Sequence, residues 1–158
     1  MNQSEVSKTT WYSIALMAVT SIHHAYGAVL YGTPWRLHVL MISVPVIILT
    51  VILSRLLQRP GSRINTIVFW LFLVLTIVPS IGLIGVFEGL YNHVLKNTMY
   101  FGGASHATLQ SLFPAPTYEM PNDLIFEITG VLQGFIVIPL IVQVIKLISG
   151  MFISRQSI

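Results

Sequence analysis

"INTIVFWLFLVLTIVPSIGLIGVFEGLYNHVLKN", residues 64–97, carries no charged side chain from Ile64 to Phe87 and then sets Glu88, His93 and Lys96 within nine positions. A helix needs roughly 20 mostly apolar residues to cross a hydrocarbon core about 30 Å thick. The first part of this stretch therefore reads as a membrane span, Ile64 to about Val86, with a helical extension to about residue 100. The second part raises the functional question, because ionisable groups gather where the chain leaves the apolar layer.

Working outward, three more spans of this kind appear: Trp11 to Tyr31, Leu37 to Leu57, and Leu124 to about Ile148. The expected fold is an all-α integral membrane protein, a four-transmembrane-helix bundle forming a single membrane domain over residues 1–158. The "YGTPW" turn at 31–35 allows only a tight hairpin, since Pro34 breaks a helix and Gly32 eases the turn. The first two helices are then antiparallel neighbours. Short loops rich in Lys and Arg stay on the cytoplasmic side. Arg55, Arg59 and Arg63 fall in the second connection, and Lys8, Lys146 and Arg155 share its side when four spans are counted. Both termini are thereby expected in the cytoplasm, in the inner membrane if the source is bacterial. Trp11, Tyr12, Tyr31 and Trp35 sit at span ends, where interfacial aromatics belong. The N-terminal apolar run is too long for a secretory signal, contains two histidines and feeds straight into a second span, so it reads as a retained helix. Residues 102–121 form the one long loop, outside by parity, and its prolines argue against regular structure in the second half.

Composition agrees and excludes several functions. The 158 residues are 54% hydrophobic and only 8% charged, against roughly 25% charged in soluble domains. A net charge of +3 comes from few groups with no dense basic stripe, which gives no reason to expect a nucleic-acid partner. With zero cysteines, disulfides, thiolate metal sites and cysteine nucleophiles are excluded together. His, Asp, Glu and Tyr remain as the reactive inventory.

These residues are segregated. His23, His24, His38, His93 and His106, with Glu88, Glu119, Asp123 and Glu127, all map to the outer half or the outer loop, and only Glu5 lies inside. At a 1.5 Å rise per residue, His38 and Asp123 fall within about 5 Å of the interface, Glu127 near ~7 Å, and His23 and His24 near ~10 to 12 Å. Asp123 and Glu127 are four apart on one helix face, as are Glu88, Asn92 and Lys96. The second stripe would also suit a plain intrahelical salt bridge. An α-helix turns His93 about 140° away from Glu88, so the pair can share a site only across a crevice or through a distorted helix, for which Pro79, Gly82, Gly85 and Gly89 provide the means. His23 and His24 point about 100° apart, one expected to face the bundle and the other a neighbouring helix or the headgroups.

Three readings follow. In the first, His23, His24, His38, His93, Glu88, Asp123 and Glu127 supply ligands for a divalent transition metal such as zinc, iron, copper or manganese, with one ligand per helix. In the second, Glu88, Glu127 and Asp123 act as catalytic acids and bases without metal, as in an isomerase or cyclase working on a sterol, isoprenoid or lipid. The segments "GVFEGLYN" and "FEITGVLQG" loosely resemble the polar helices of the emopamil-binding sterol isomerase family over two of the four spans, a resemblance that implies this second chemistry. In the third, the chain is an accessory subunit of a membrane complex, a homo-oligomer, or a b-type haem electron-transfer protein with histidines on the iron. A through-membrane proton path is disfavoured, because the inner halves are almost entirely apolar. The Pro-rich loop "LFPAPTYEMP" is expected to cover the site and to lend it Glu119 or His106.

Overall fold

Helix α1, Gln3–Leu30, leads into a 3-10 turn, Pro34–Val39, and then α2, Leu40–Leu57. Pro34 opens the 3-10 turn, where its missing N–H costs nothing. Gly32 adopts a positive φ of 60°, a conformation that glycine reaches without strain. The third crossing is composite: α3, Asn65–Leu75, continues without a break into a π-helical segment, Thr76–Leu95, and then α4, Lys96–Phe101. A short α5, His106–Leu112, lies in the outer connection, and α6, Leu124–Gln156, completes the bundle. The computed structural model describes residues 3–59 and 65–156, and of residues 65 and 152–156 only the backbone. The expected connection through Arg63, with Ile64 as the start of the third span, lies outside the described residues, as does the side chain of Arg155.

Among the described residues, four helical stretches are long and apolar enough to cross a membrane: Gln3–Leu30, Pro34–Leu57, Thr66–Phe101 and Leu124–Met151, of 28, 24, 36 and 28 residues. Large apolar side chains such as Met41, Ile67, Leu71, Phe135 and Ile145 face outward, as suits a surface solvated by lipid. Hydroxyls turn inward instead. Thr10 and Thr76 donate to the carbonyls of Val6 and Phe72, each at 2.8 Å, Ser13 pairs with Ser80 at 2.9 Å, and Ser21 pairs with Ser43 at 2.7 Å. Without water, each polar group must find a partner within the protein.

The apolar core, with Leu16, Met17, Phe69, Phe72, Val137 and Leu140, joins α1, α3 and α6. The third crossing and α6 also approach through glycine. A Cβ on Gly89 would meet the backbone of Gly134 and stand 2.8 Å from the carbonyl carbon of Gln133, and one on Gly85 would overlap Val137. The π-helical segment and α6 thus touch backbone to backbone, in the manner of small-residue contacts in membranes.

Candidate metal centre

The π winding decides which side chains meet. In an α-helix Glu88 and His93 would diverge, but i→i+5 hydrogen bonding stacks a residue above its fifth neighbour. Accordingly His93 Nε2 lies 3.6 Å from Glu88 Oε1. The required distortion is therefore a change of helical register, beginning three residues before Pro79, whose ring cannot serve the i→i−4 ladder. Gly130 of α6 makes the second allowance: a Cβ there would occupy the position of the His93 imidazole.

From α1, His23 reaches the same point. Its Nε2 is 3.1 Å from His93 Nε2 and 3.7 Å from Glu88 Oε1, and the three residues offer ligand atoms within 4.8 Å of one another. They are close enough together to hold a metal ion. Thr129 Oγ1 has one hydrogen, within reach of the carbonyls of Ile125 and Phe126 at 2.8 and 3.0 Å; when it goes to either, the hydroxyl accepts from His23 Nδ1 at 2.9 Å. His93 Nδ1 donates to Glu127 Oε2 at 3.0 Å. With both Nδ1 atoms carrying the proton, the two Nε2 lone pairs face one another and a carboxylate. Such an arrangement is repulsive until a cation enters it.

Each member is held from behind. Asn92 Nδ2 donates to Glu88 Oε2 at 2.6 Å. Asn97 Nδ2 donates to Glu127 Oε2 at 2.8 Å, and Lys96 Nζ lies 3.4 Å from Glu127 Oε1. Phe126 stacks on His23 with ring centroids 4.1 Å apart. Lys96 is thereby drawn off the Glu88–Asn92–Lys96 stripe: its partner is on α6, and the simple intrahelical salt bridge does not form.

The remaining expected ligands divide. His24 is buried like His23, and its Nε2 sits 3.4 Å from Glu88 Oε1 on the neighbouring π-helical segment. It approaches the trio from the carboxylate side. Glu127 stands behind His93 and orients that ring, a place better suited to tuning a ligand than to being one. His38 is exposed, with Nδ1 toward the Trp35 carbonyl and its ring stacked on that indole. Asp123 accepts from Phe126 N at 2.8 Å and from Tyr26 Oη at 3.2 Å, the work of a helix N-cap. Neither joins the trio. His106 is exposed at the start of α5, whereas Glu119 does arrive from the loop.

A cavity of about 220 Å³ adjoins the trio, with His24, Glu88 and His93 in its wall and Thr117, Tyr118 and Glu119 of the Pro-rich loop along one side. Lys96 donates to the Glu119 carbonyl, and Arg36 lies 3.6 Å from the Glu119 carboxylate. Burial, together with the Glu127, Glu119 and Asp123 carboxylates, pushes the Tyr31 hydroxyl up to about 12. It therefore stays protonated and donates to Asn122 Oδ1 at 2.6 Å, fastening the loop to the α1 end. Arg36, Asn97 and Thr129 are site residues that the sequence reading passed over. Arg36 had a signal: it is a cation in the hairpin opposite Arg55 and Arg59, against the usual charge bias.

Compared with family models, curated proteins and solved structures, the chain matches none. Its site is accordingly read from its own geometry.

Proposed function

We propose that this is a membrane-embedded metalloprotein in which His23 Nε2, His93 Nε2 and Glu88 Oε1 hold one divalent ion, zinc or iron(II), beside a cavity for a membrane-soluble substrate. The observation that carries the reading is the triangle of donors. Its edges of 3.1, 3.6 and 3.7 Å bracket the ~3.3 to 3.4 Å expected between ligands bound tetrahedrally at about 2.0 to 2.1 Å. Two imidazoles and one carboxylate with an open side is a ligand set used by catalytic zinc and by non-haem iron. The carboxylate behind His93 is the usual partner of a metal-bound imidazole. The positive-inside bias of Arg55 and Arg59 supports a cytoplasmic far end, with the site in the extracytoplasmic leaflet and both termini cytoplasmic in this reading.

Elemental analysis of protein purified without chelator tests this directly. The expected result is a single transition metal per chain, lost in His23→Ala and His93→Ala. Protein that neither carries nor takes up zinc or iron refutes the reading.

A second reading rests on the same short distance. An N···N separation of 3.1 Å is also that of a hydrogen bond, so a proton shared by His23 and His93, backed by Glu127, would leave an acid/base dyad facing Glu88. Activity in metal-free protein would then survive chelation. The haem variant fits less well, because a porphyrin ligated on both faces needs a slot between its imidazoles that these two rings do not leave.

A further inference from the structure

The cavity has two features that the metal does not use. The first is a pair of buried cations from different elements. Arg36 is 5% exposed and Lys96 is 2% exposed, and both line the cavity. Arg36 Nε donates to Thr33 Oγ1 at 2.8 Å, and its guanidinium carbon sits 5.0 to 5.6 Å from the ring centres of Trp35, Tyr31 and Phe126. Its Nη2 is buried with no hydrogen bond, the Glu119 carboxylate standing off at 3.6 Å. An unmatched guanidinium N–H in an apolar setting is costly, and its forked geometry suits an oxyanion. Lys96 uses two of its three N–H groups on Glu119 and Glu127.

The second feature is the mouth. Among its lining residues Trp35, Leu83 and Phe87 are 49%, 43% and 46% exposed, so part of the wall reaches the apolar flank of the bundle, and we take the opening there, between Ile42 of α2 and the π-helical segment. A ligand entering there comes sideways from lipid. Charge then narrows its head. Glu88, Glu119 and Glu127 stand against Arg36 and Lys96, so a divalent ion turns one surplus negative charge into one surplus positive charge. A buried surplus is unfavourable until an opposite charge offsets it.

From these observations we infer that the cavity binds a long-chain carboxylate, its head between Arg36 and Lys96 and its chain leaving between α2 and the π-helical segment. This rests on the metal reading for the charge balance, while the Arg36 cage and the lateral mouth stand independently of it. The carboxylate is thereby held next to the open side of His23, Glu88 and His93.

The test uses the full chain in phosphatidylcholine nanodiscs, with metal content measured on each sample. Retention of radiolabelled dodecanoate is compared with that of dodecanol and dodecyl phosphate. Dodecanoate is expected to be retained over dodecanol, and Arg36→Gln to lower its retention about tenfold, as for loss of a charge-assisted hydrogen bond, with metal content unchanged. Leu83→Trp, which fills the mouth without touching a charge, is expected to lower retention too and guards against a folding defect in the Arg36 variant. Equal retention of dodecanol and dodecanoate, or no effect of either substitution, overturns the proposal, and preference for dodecyl phosphate overturns the carboxylate assignment. A metal-loaded chain that retains no dodecanoate refutes this inference alone. A metal-free chain that retains it through Arg36 refutes the metal reading alone.

Discussion

Replacing Glu127 by Gln separates the role of this carboxylate from its shape. In the native site one oxygen accepts from His93 Nδ1 at 3.0 Å and from Asn97 at 2.8 Å, while the other faces Lys96 Nζ at 3.4 Å. A glutamine keeps one acceptor oxygen, which His93 and Asn97 still claim, and turns its amide N–H groups toward the Lys96 ammonium. His93 loses an anionic partner and becomes a weaker donor at Nε2. Losing such a partner typically costs 10- to 100-fold in metal affinity, about 1.4 to 2.7 kcal/mol. The assay is competition of the purified protein with a chelator of known zinc affinity, with Lys96→Met as the control. That control removes the same ion pair from the other side but leaves the His93–Glu127 bond in place and takes a cation away from the site, so its zinc affinity should not fall even where its melting temperature does. Glu127→Gln protein that is folded and binds zinc as tightly as the native chain refutes the argument that Glu127 serves the metal through His93.

Three further outcomes are expected. Gly130→Ala should drive the His93 ring from its seat, abolishing metal retention and costing about 1 to 3 kcal/mol by overpacking, read by thermal unfolding and elemental analysis. Asp123→Ala should cost about 0.5 to 2 kcal/mol through loss of the cap on α6 and leave zinc affinity unchanged; a loss of metal would return Asp123 to the ligand set. Removing the ion with chelator should lower the melting temperature, and restoring it to 100 times its dissociation constant should return about 2.7 kcal/mol, whereas a scan indifferent to zinc and iron would argue for the proton-bridged reading.

The spans were legible because an apolar run of membrane length has little use in a chain surrounded by water, and four helices of that length are present among the described residues. That these groups would gather was legible too, since charge is scarce enough for its clustering to mean something, and His23, Glu88 and His93 do come together. Which groups meet was harder to read. The α-helical period sets Glu88 and His93 apart, and only the π winding, hinted at by Pro79 and the glycines after it, reunites them. Glu127 carries no mark in the sequence that separates a ligand from the partner of a ligand; that distinction depends on Gly130 admitting the His93 ring between them. Asp123 was misleading for a simple reason, because a carboxylate ahead of an apolar helix is a cap as readily as a ligand. Arg36 had only one mark in the sequence, a cation just past the 31–35 turn, away from the other arginines.

The third crossing is also the longest, 36 residues from Thr66 to Phe101, which at the α-helical rise would extend about 54 Å against a hydrocarbon layer of about 30 Å. A wider coil advances less per residue, so the π-helical stretch shortens this rod toward the thickness it must match. Span length and ligand spacing thereby become a single mechanical property. A thicker bilayer that drew Thr76–Leu95 out into ordinary α-helix would swing Glu88 and His93 apart, and the lipid environment would act on the ion through the pitch of one helix.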